Sequence, residues 1–189
     1  MKSFESPLPP TLFVAKELAT IFDEMNLRGD RGLVDTRQWV REGLVVPVGC
    51  IGRPSKTAAH VYSAPQVFLL GVLLKLAKVG TSERAVLGAV VAKLNEDLGG
   101  ETLLDRVWHT ATSDLLRTGW LARIDVTYLT RDDRVITVNV FDGDAPQQFW
   151  PDVPPGKFFG SIFLNLAEIA EDIARGIAKV LATVDEGKD

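Results

Sequence analysis

The sequence predicts a mainly helical α+β protein, and three observations predict it. Apolar residues recur at helical spacing through most of the chain. Residues 121–141 alternate strictly, Ile124, Val126 and Tyr128 before RDDR and Ile136, Val138 and Val140 after it, which is the pattern of a β-hairpin. Between Asp35 and Gly80, a short helix pattern, a loop rich in Gly, Pro and basic residues between β-prone segments, and a long apolar helix follow one another. That order describes a winged helix-turn-helix, followed here by a helix, a β-hairpin and a long C-terminal helix.

In chain order, residues 1–10 read as a tail, because Pro7, Pro9 and Pro10 remove backbone donors. Thr11 is placed to cap a first helix running to about Glu24, with Leu12, Ala15, Leu18, Ala19 and Phe22 as its apolar stripe. The two glycines of residues 25–34 predict a loop. A second helix starts at Val34 or Asp35, buries Trp39, Val40 and Leu44, and stops at Gly43. Leu44–Val46 and Ala59–Tyr62 are expected to pair as two strands around the loop GCIGRPSKT.

Ser63 and Pro65 then open a third helix, buried along Val67, Leu70, Leu73, Leu74 and Ala77 and ended by Gly80. Ser82 is expected to cap a fourth, carrying Ala85, Val86, Ala89, Val90 and Leu94. Gly99-Gly100 is the best domain boundary, separating a DNA-binding unit at 11–98 from a dimerisation or effector unit at 101–189. In the second unit, 101–118 reads as a helix ended by Gly119, and four prolines make 142–156 a loop. Residues 158–184 read as one helix, with Ile162, Leu166, Ile169, Ile173, Ile177, Val180 and Val184 on a single stripe.

Composition narrows the function classes. The chain has 189 residues, 46% hydrophobic and 24% charged, as expected of a globular protein. One cysteine, Cys50, excludes an internal disulfide and a multi-cysteine metal site, and favours the reducing cytoplasm. No signal peptide is expected, and the longest apolar run, Val67–Leu74, is too short to span a bilayer. Net charge is −4, yet residues 35–80 hold six Lys/Arg against two Asp/Glu. A local basic patch governs contact with phosphate more than total charge does, since distant charges are screened.

The segment RQWVREGLVVP at 37–47 resembles the recognition-helix end of MerR-type regulators. Arg37 falls on that family's arginine, Trp39 on one of its aromatics, and Gly43-Leu44 and Pro47 on its turn. His60-Val61-Tyr62 stands where the wing closes, and Leu76 to Ser82 follows the later Leu-Arg-x-x-Gly-x-Ser pattern. The likeness covers roughly residues 12–95. It implies a transcriptional regulator that binds duplex DNA sequence-specifically, as a homodimer. The cysteines of metal-sensing members are absent, so no metal is implied.

The residues support that expectation on their own chemistry. Thr36, Arg37, Gln38 and Arg41 lie opposite Trp39 and Val40, and Arg and Gln can pair bidentately with guanine and adenine. Arg53, Ser55, Lys56, Thr57 and His60 are candidates for phosphate or minor-groove contact from the wing, and Tyr62 can turn its hydroxyl to a phosphate. The plainer reading of these residues is a solvated helix face and a loop, with Trp39 and Tyr62 in the core. Cys50 reads as an incidental small residue and His109 as structural. Asp132-Asp133 and Asp142/Asp144 fit turn chemistry, since they lack calcium-ligand spacing. Gly52–Lys56 lacks the ending of a phosphate-binding P-loop.

No catalytic residue, cofactor or metal is expected. The partners expected are double-stranded DNA and a second copy of the chain through the C-terminal helix; a small-molecule effector is open. The alternatives are a phage or mobile-element DNA-binding protein, such as an excisionase-like or packaging factor, and a ligand- or protein-binding module that uses the helix-turn-helix as scaffold.

Overall fold

A computed structural model describes residues 12–51, 59–113, 120–128, 134–141 and 157–186. The architecture is mixed helix and sheet, mostly helical. Its N-terminal part contains β1 (Leu12–Phe13), α1 (Ala15–Glu24) and α2 (Gly29–Arg41). Leu12 and Phe13 are strand rather than the first turn of a helix, because they pair with Ser63 and Tyr62. Thr11, the expected cap, lies outside the described residues. The start of α1 is held by Glu17, whose carboxylate accepts the Val14 N–H at 2.7 Å. Leu18, Ile21 and Phe22 form its buried stripe.

The turn from α1 to α2 is short. Asn26 adopts φ 55°, a left-handed conformation that Asn tolerates better than most residues, and Asp23 accepts the Gly29 N–H at 2.8 Å. The second helix therefore begins at Gly29, not at Val34 or Asp35. The glycines of this segment serve helix packing rather than a loop. A Cβ on Gly29 would lie 2.6 Å from the Ala19 carbonyl oxygen, and one on Gly32 would lie 2.7 Å from Phe22 Cδ2.

Gly43, at φ +70°, ends α2. The Leu44 N–H donates to the Trp39 carbonyl at 2.9 Å, folding the chain back so that Val45 and Trp39 enter the core. This use of Leu44 and Val45 displaces the expected first strand. Pairing begins only after Pro47, with Val48 N–H to Val61 O at 3.0 Å, and continues as β2 (Gly49–Ile51) against β3 (Ala59–Ser63). With β1 on the far edge of β3, the sheet order is β1-β3-β2.

Ser63 then caps α3 (Ala64–Lys78): its hydroxyl accepts from Gln66 N–H, and Gln66 Oε1 accepts the Ser63 N–H at 3.2 Å. Every residue from Val67 to Leu74 is buried, as is Leu76, so α3 is a central helix wrapped on all sides rather than one-faced. Its neighbour α4 (Arg84–Leu94) buries Val86, Leu87, Val90 and Leu94, with Glu83 rather than Ser82 at its N-cap position. The following Gly99-Gly100 turn is tied by Asp97, whose carboxylate accepts both glycine N–H groups at 2.9 and 2.8 Å. Those donors hold the Asp97 carboxyl below its ordinary pKa.

Thr102 caps α5 (Leu103–Thr112), which ends earlier than the expected 101–118; Gly119 lies outside the described residues. The expected hairpin is present as β4 (Leu121–Tyr128) and β5 (Arg134–Phe141), paired from Leu121↔Phe141 to Tyr128↔Arg134. The expected helix at 158–184 is divided. Lys157–Asn165 is a strand, β6, on the other side of β4, giving the order β5-β4-β6. Aromatic and β-branched residues in KFFGSIFLN suit the pleated surface. Asn165 marks the change to helix, its Oδ1 accepting the Glu168 N–H at 3.1 Å.

The last helix, α6 (Leu166–Glu186), closes the fold. Ile169, Ile173 and Val180 are at most 5% exposed, in one cluster with Leu18, Ile21, Phe68 and Leu70. A Cβ on Gly71 of α3 would stand 2.5 Å from Ile173 Cδ1, and one on Gly176 of α6 would stand 2.9 Å from Ile21 Cα. Lys75 pairs with Asp172 at 3.5 Å, and Lys179 pairs with Glu24 of α1. At these positions, the stripe that periodicity offers as a seam between copies is covered within one chain.

Candidate nucleic-acid interface

The earlier start of α2 lengthens its outer face. Arg31, Val34, Arg37, Gln38 and Arg41 are all exposed at spacings that put them on one side of the helix. From Arg31 to Arg41 the side covers about 15 Å at the helical rise per residue. The opposite side is pinned by Gly29, Gly32, Thr36 and Trp39, all buried. The orientation of the arginines is thus fixed by packing against α1 and α3.

The hairpin stands beside this face. Val34, Arg37, Val40 and Arg41 line a shallow groove with His60 of β3. Three of the expected contact residues, Arg37, Arg41 and His60, are therefore brought together. Across the hairpin, Cys50 is paired with His60, and its Sγ lies 3.3 Å from His60 Nδ1. Both side chains are exposed. Val34 and the partly buried Val40 give the groove an apolar floor.

Two expected contact residues point elsewhere. Thr36 is 2% exposed, so it faces the core, and its hydroxyl has no hydrogen-bond partner. Tyr62 is 3% exposed and is a core residue beside Phe13. Burial pushes its phenol above the ordinary pKa, Cys50 adds to the rise, and the Arg37 guanidinium opposes it. The Tyr62 hydroxyl is thus neutral through the physiological range.

Gln38 is on the outer face, but its amide donates to Glu42 Oε1 at 2.9 Å. A base reading by Gln38 must displace that bond. The carbonyl of Glu42, at the C-cap of α2, accepts from Arg84 of α4 at 3.1 Å. Arg53, Ser55, Lys56 and Thr57 lie outside the described residues. Arg31 is the addition that sequence reasoning missed. The signal was present: Leu33 sits one heptad before Val40 on the inward side, and Arg31 sits one heptad before Gln38 on the outward side.

Among the described residues, no group of three or more His, Cys, Asp or Glu side chains is placed to hold a metal ion. No helix of the described residues is long and apolar enough to cross a membrane. Comparison with family models, with curated proteins and with solved structures returns no match to this chain.

Proposed function

We propose that the protein binds duplex DNA sequence-specifically and regulates transcription. In this reading α1, the turn at 25–28 and α2 form a helix-turn-helix, α2 is the recognition helix, and the β2–β3 hairpin is the wing. The observation that carries it is the meeting of Arg37 and Arg41 of α2 with His60 of β3 along one groove. An exposed helix with three arginines on its outer side suits the major groove, where arginine reads guanine O6 and N7. The net charge of −4 does not oppose the reading, because the acidic excess belongs to residues 101–189.

A homodimer remains part of the proposal, since paired half-sites suit paired modules. Its contact lies outside the buried positions of the α6 stripe. Cys50, the only cysteine, fits a protein that works in a reducing compartment.

The test is a gel shift on sequences selected from a random duplex pool, repeated across a salt series. Affinity should fall steeply as salt rises, because each phosphate contact releases counterions. An enriched sequence class should emerge from the pool. Affinity that is flat between low and physiological salt, or a pool that never enriches, would overturn the proposal.

A further inference from the structure

A second recess lies away from the groove, where the α1–α2 turn meets the start of α2 and the last turns of α3. It has a volume of about 320 Å³. That is at the lower end of the roughly 300–1,000 Å³ occupied by small-molecule sites. Its wall has two chemistries. Leu27, Leu74 and Ala77 supply an apolar floor, and Arg28, Arg31 and Lys78 supply three cations.

The charges around it are not satisfied from within. The side chains of Arg28 and Arg31 form no ion pair or hydrogen bond among the described residues. Asp35 is the one carboxylate in the lining, and it pairs with neither arginine. The nearby Asp23 is engaged by the Gly29 N–H. Lys78 donates to the Asn26 carbonyl at 3.2 Å, which holds its ammonium at the recess while leaving further N–H groups free. Within the lining three cations face one carboxylate, and although Asp23 and Asp30 share the adjoining recess with Arg28 and Arg31, neither pairs with them, so the guanidinium groups stay open to an anion beside apolar walls that weaken screening. The turn that carries Arg28 is fixed by Asn26 and by Asp23, so the arrangement does not depend on a mobile loop.

We propose that this recess binds a small organic anion, its carboxylate or phosphate between Arg28, Arg31 and Lys78 and its apolar body on Leu27, Leu74 and Ala77. The apolar floor separates this site from a simple phosphate contact, because a bare phosphate leaves that floor uncovered. One consequence rests on the DNA reading: Arg31 belongs both to the recess and to the outer face of α2, so an occupant that holds Arg31 competes with its use on DNA. Linkage then requires that DNA and the anion weaken each other's binding by the same factor.

The site is tested without DNA, so its failure and the failure of the DNA reading are separate results. The full chain is titrated with phenyl phosphate, with inorganic phosphate and with phenol, following backbone amide shifts. Phenyl phosphate should saturate, with shifts concentrated at residues 26–35 and 74–78, and should bind more tightly than either fragment. The Arg28→Ala/Arg31→Ala double variant, both residues being on the surface, should lose about tenfold or more, as expected for lost charge-assisted hydrogen bonds. Ala77→Leu keeps every charge and fills the floor; it should abolish the advantage of phenyl phosphate over inorganic phosphate. Absence of saturation, shifts centred elsewhere, or equal affinity for phenyl and inorganic phosphate would overturn the proposal.

Discussion

Replacing Ile173 with alanine tests the placement of α6 directly. Ile173 is 0% exposed, and its Cδ1 stands 2.5 Å from where a Gly71 side chain would begin. The substitution removes three buried carbons, about 0.8 kcal/mol each in transfer terms. The facing wall cannot close the gap, because Gly71 has no side chain to move into it. The loss should therefore sit within the range of about 2–5 kcal/mol for such truncations, near ~3–4 kcal/mol. At roughly 2–4 °C per kcal/mol for a chain of this length, melting should fall by about 10 °C. Urea unfolding followed by the fluorescence of the core residues Trp39, Trp108 and Trp120 measures it. A loss under about 1 kcal/mol would refute the burial argument.

Other substitutions bear on the groove and its support. Arg37→Ala and Arg41→Ala should each cost about 1–3 kcal/mol on a selected duplex and much less on random duplex, measured by competition binding. Thr36→Val removes an orphaned buried hydroxyl; it should raise stability by about 1 kcal/mol in urea unfolding and leave DNA affinity unchanged. Gly32→Ala drives a methyl toward Phe22 Cδ2 and should cost about 1–3 kcal/mol by the same measurement. Tyr62 has a raised phenol pKa in the folded state, so its contribution is complete below the ordinary tyrosine pKa and is lost as pH rises through the raised one. In alkaline unfolding, Tyr62→Phe should lose less stability than the parent over that window, and parallel curves would count against burial as the cause.

Much of the fold was legible because its signals were local. The Ser63/Pro65 helix start, the Gly43 and Gly80 stops and the alternation of 121–141 each specify a conformation within a few residues. The misreadings share a different cause. Gly29 and Gly32 carry turn-forming sequence, but their conformation is decided by Ala19 and Phe22 across the helix pair. Leu44 and Val45 have strand propensity, but the Trp39 carbonyl captures their segment first. Ile162 fits the helical stripe of 158–184 by spacing, yet it pairs with Ile124 on β4. Of the candidate interface, Arg37, Arg41 and His60 were readable as polar side chains of the second helix and the strand after the loop. Arg31 was lost with the misplaced helix start, and Thr36 was misassigned because a small polar side chain does not announce which way it faces.

The contact of α6 with α1 and α3 has a bearing on how the protein is made. Ile21 meets the backbone of α6 at Gly176, and Gly71 leaves room only for Ile173. As the chain emerges during synthesis, the helices that carry the arginine-bearing groove appear first, and Ile173, which fills the space beside Gly71, follows only after α4, α5 and the second sheet. Until then Ile21, Met25 and the α6-facing side of α3 lack their cover. A nascent chain, or one terminated before α6, therefore displays the sticky surface that chaperones and proteases recognise, whereas a chain translated past α6 can hide it. The arrangement makes synthesis of α6 a condition for a groove held in its finished shape.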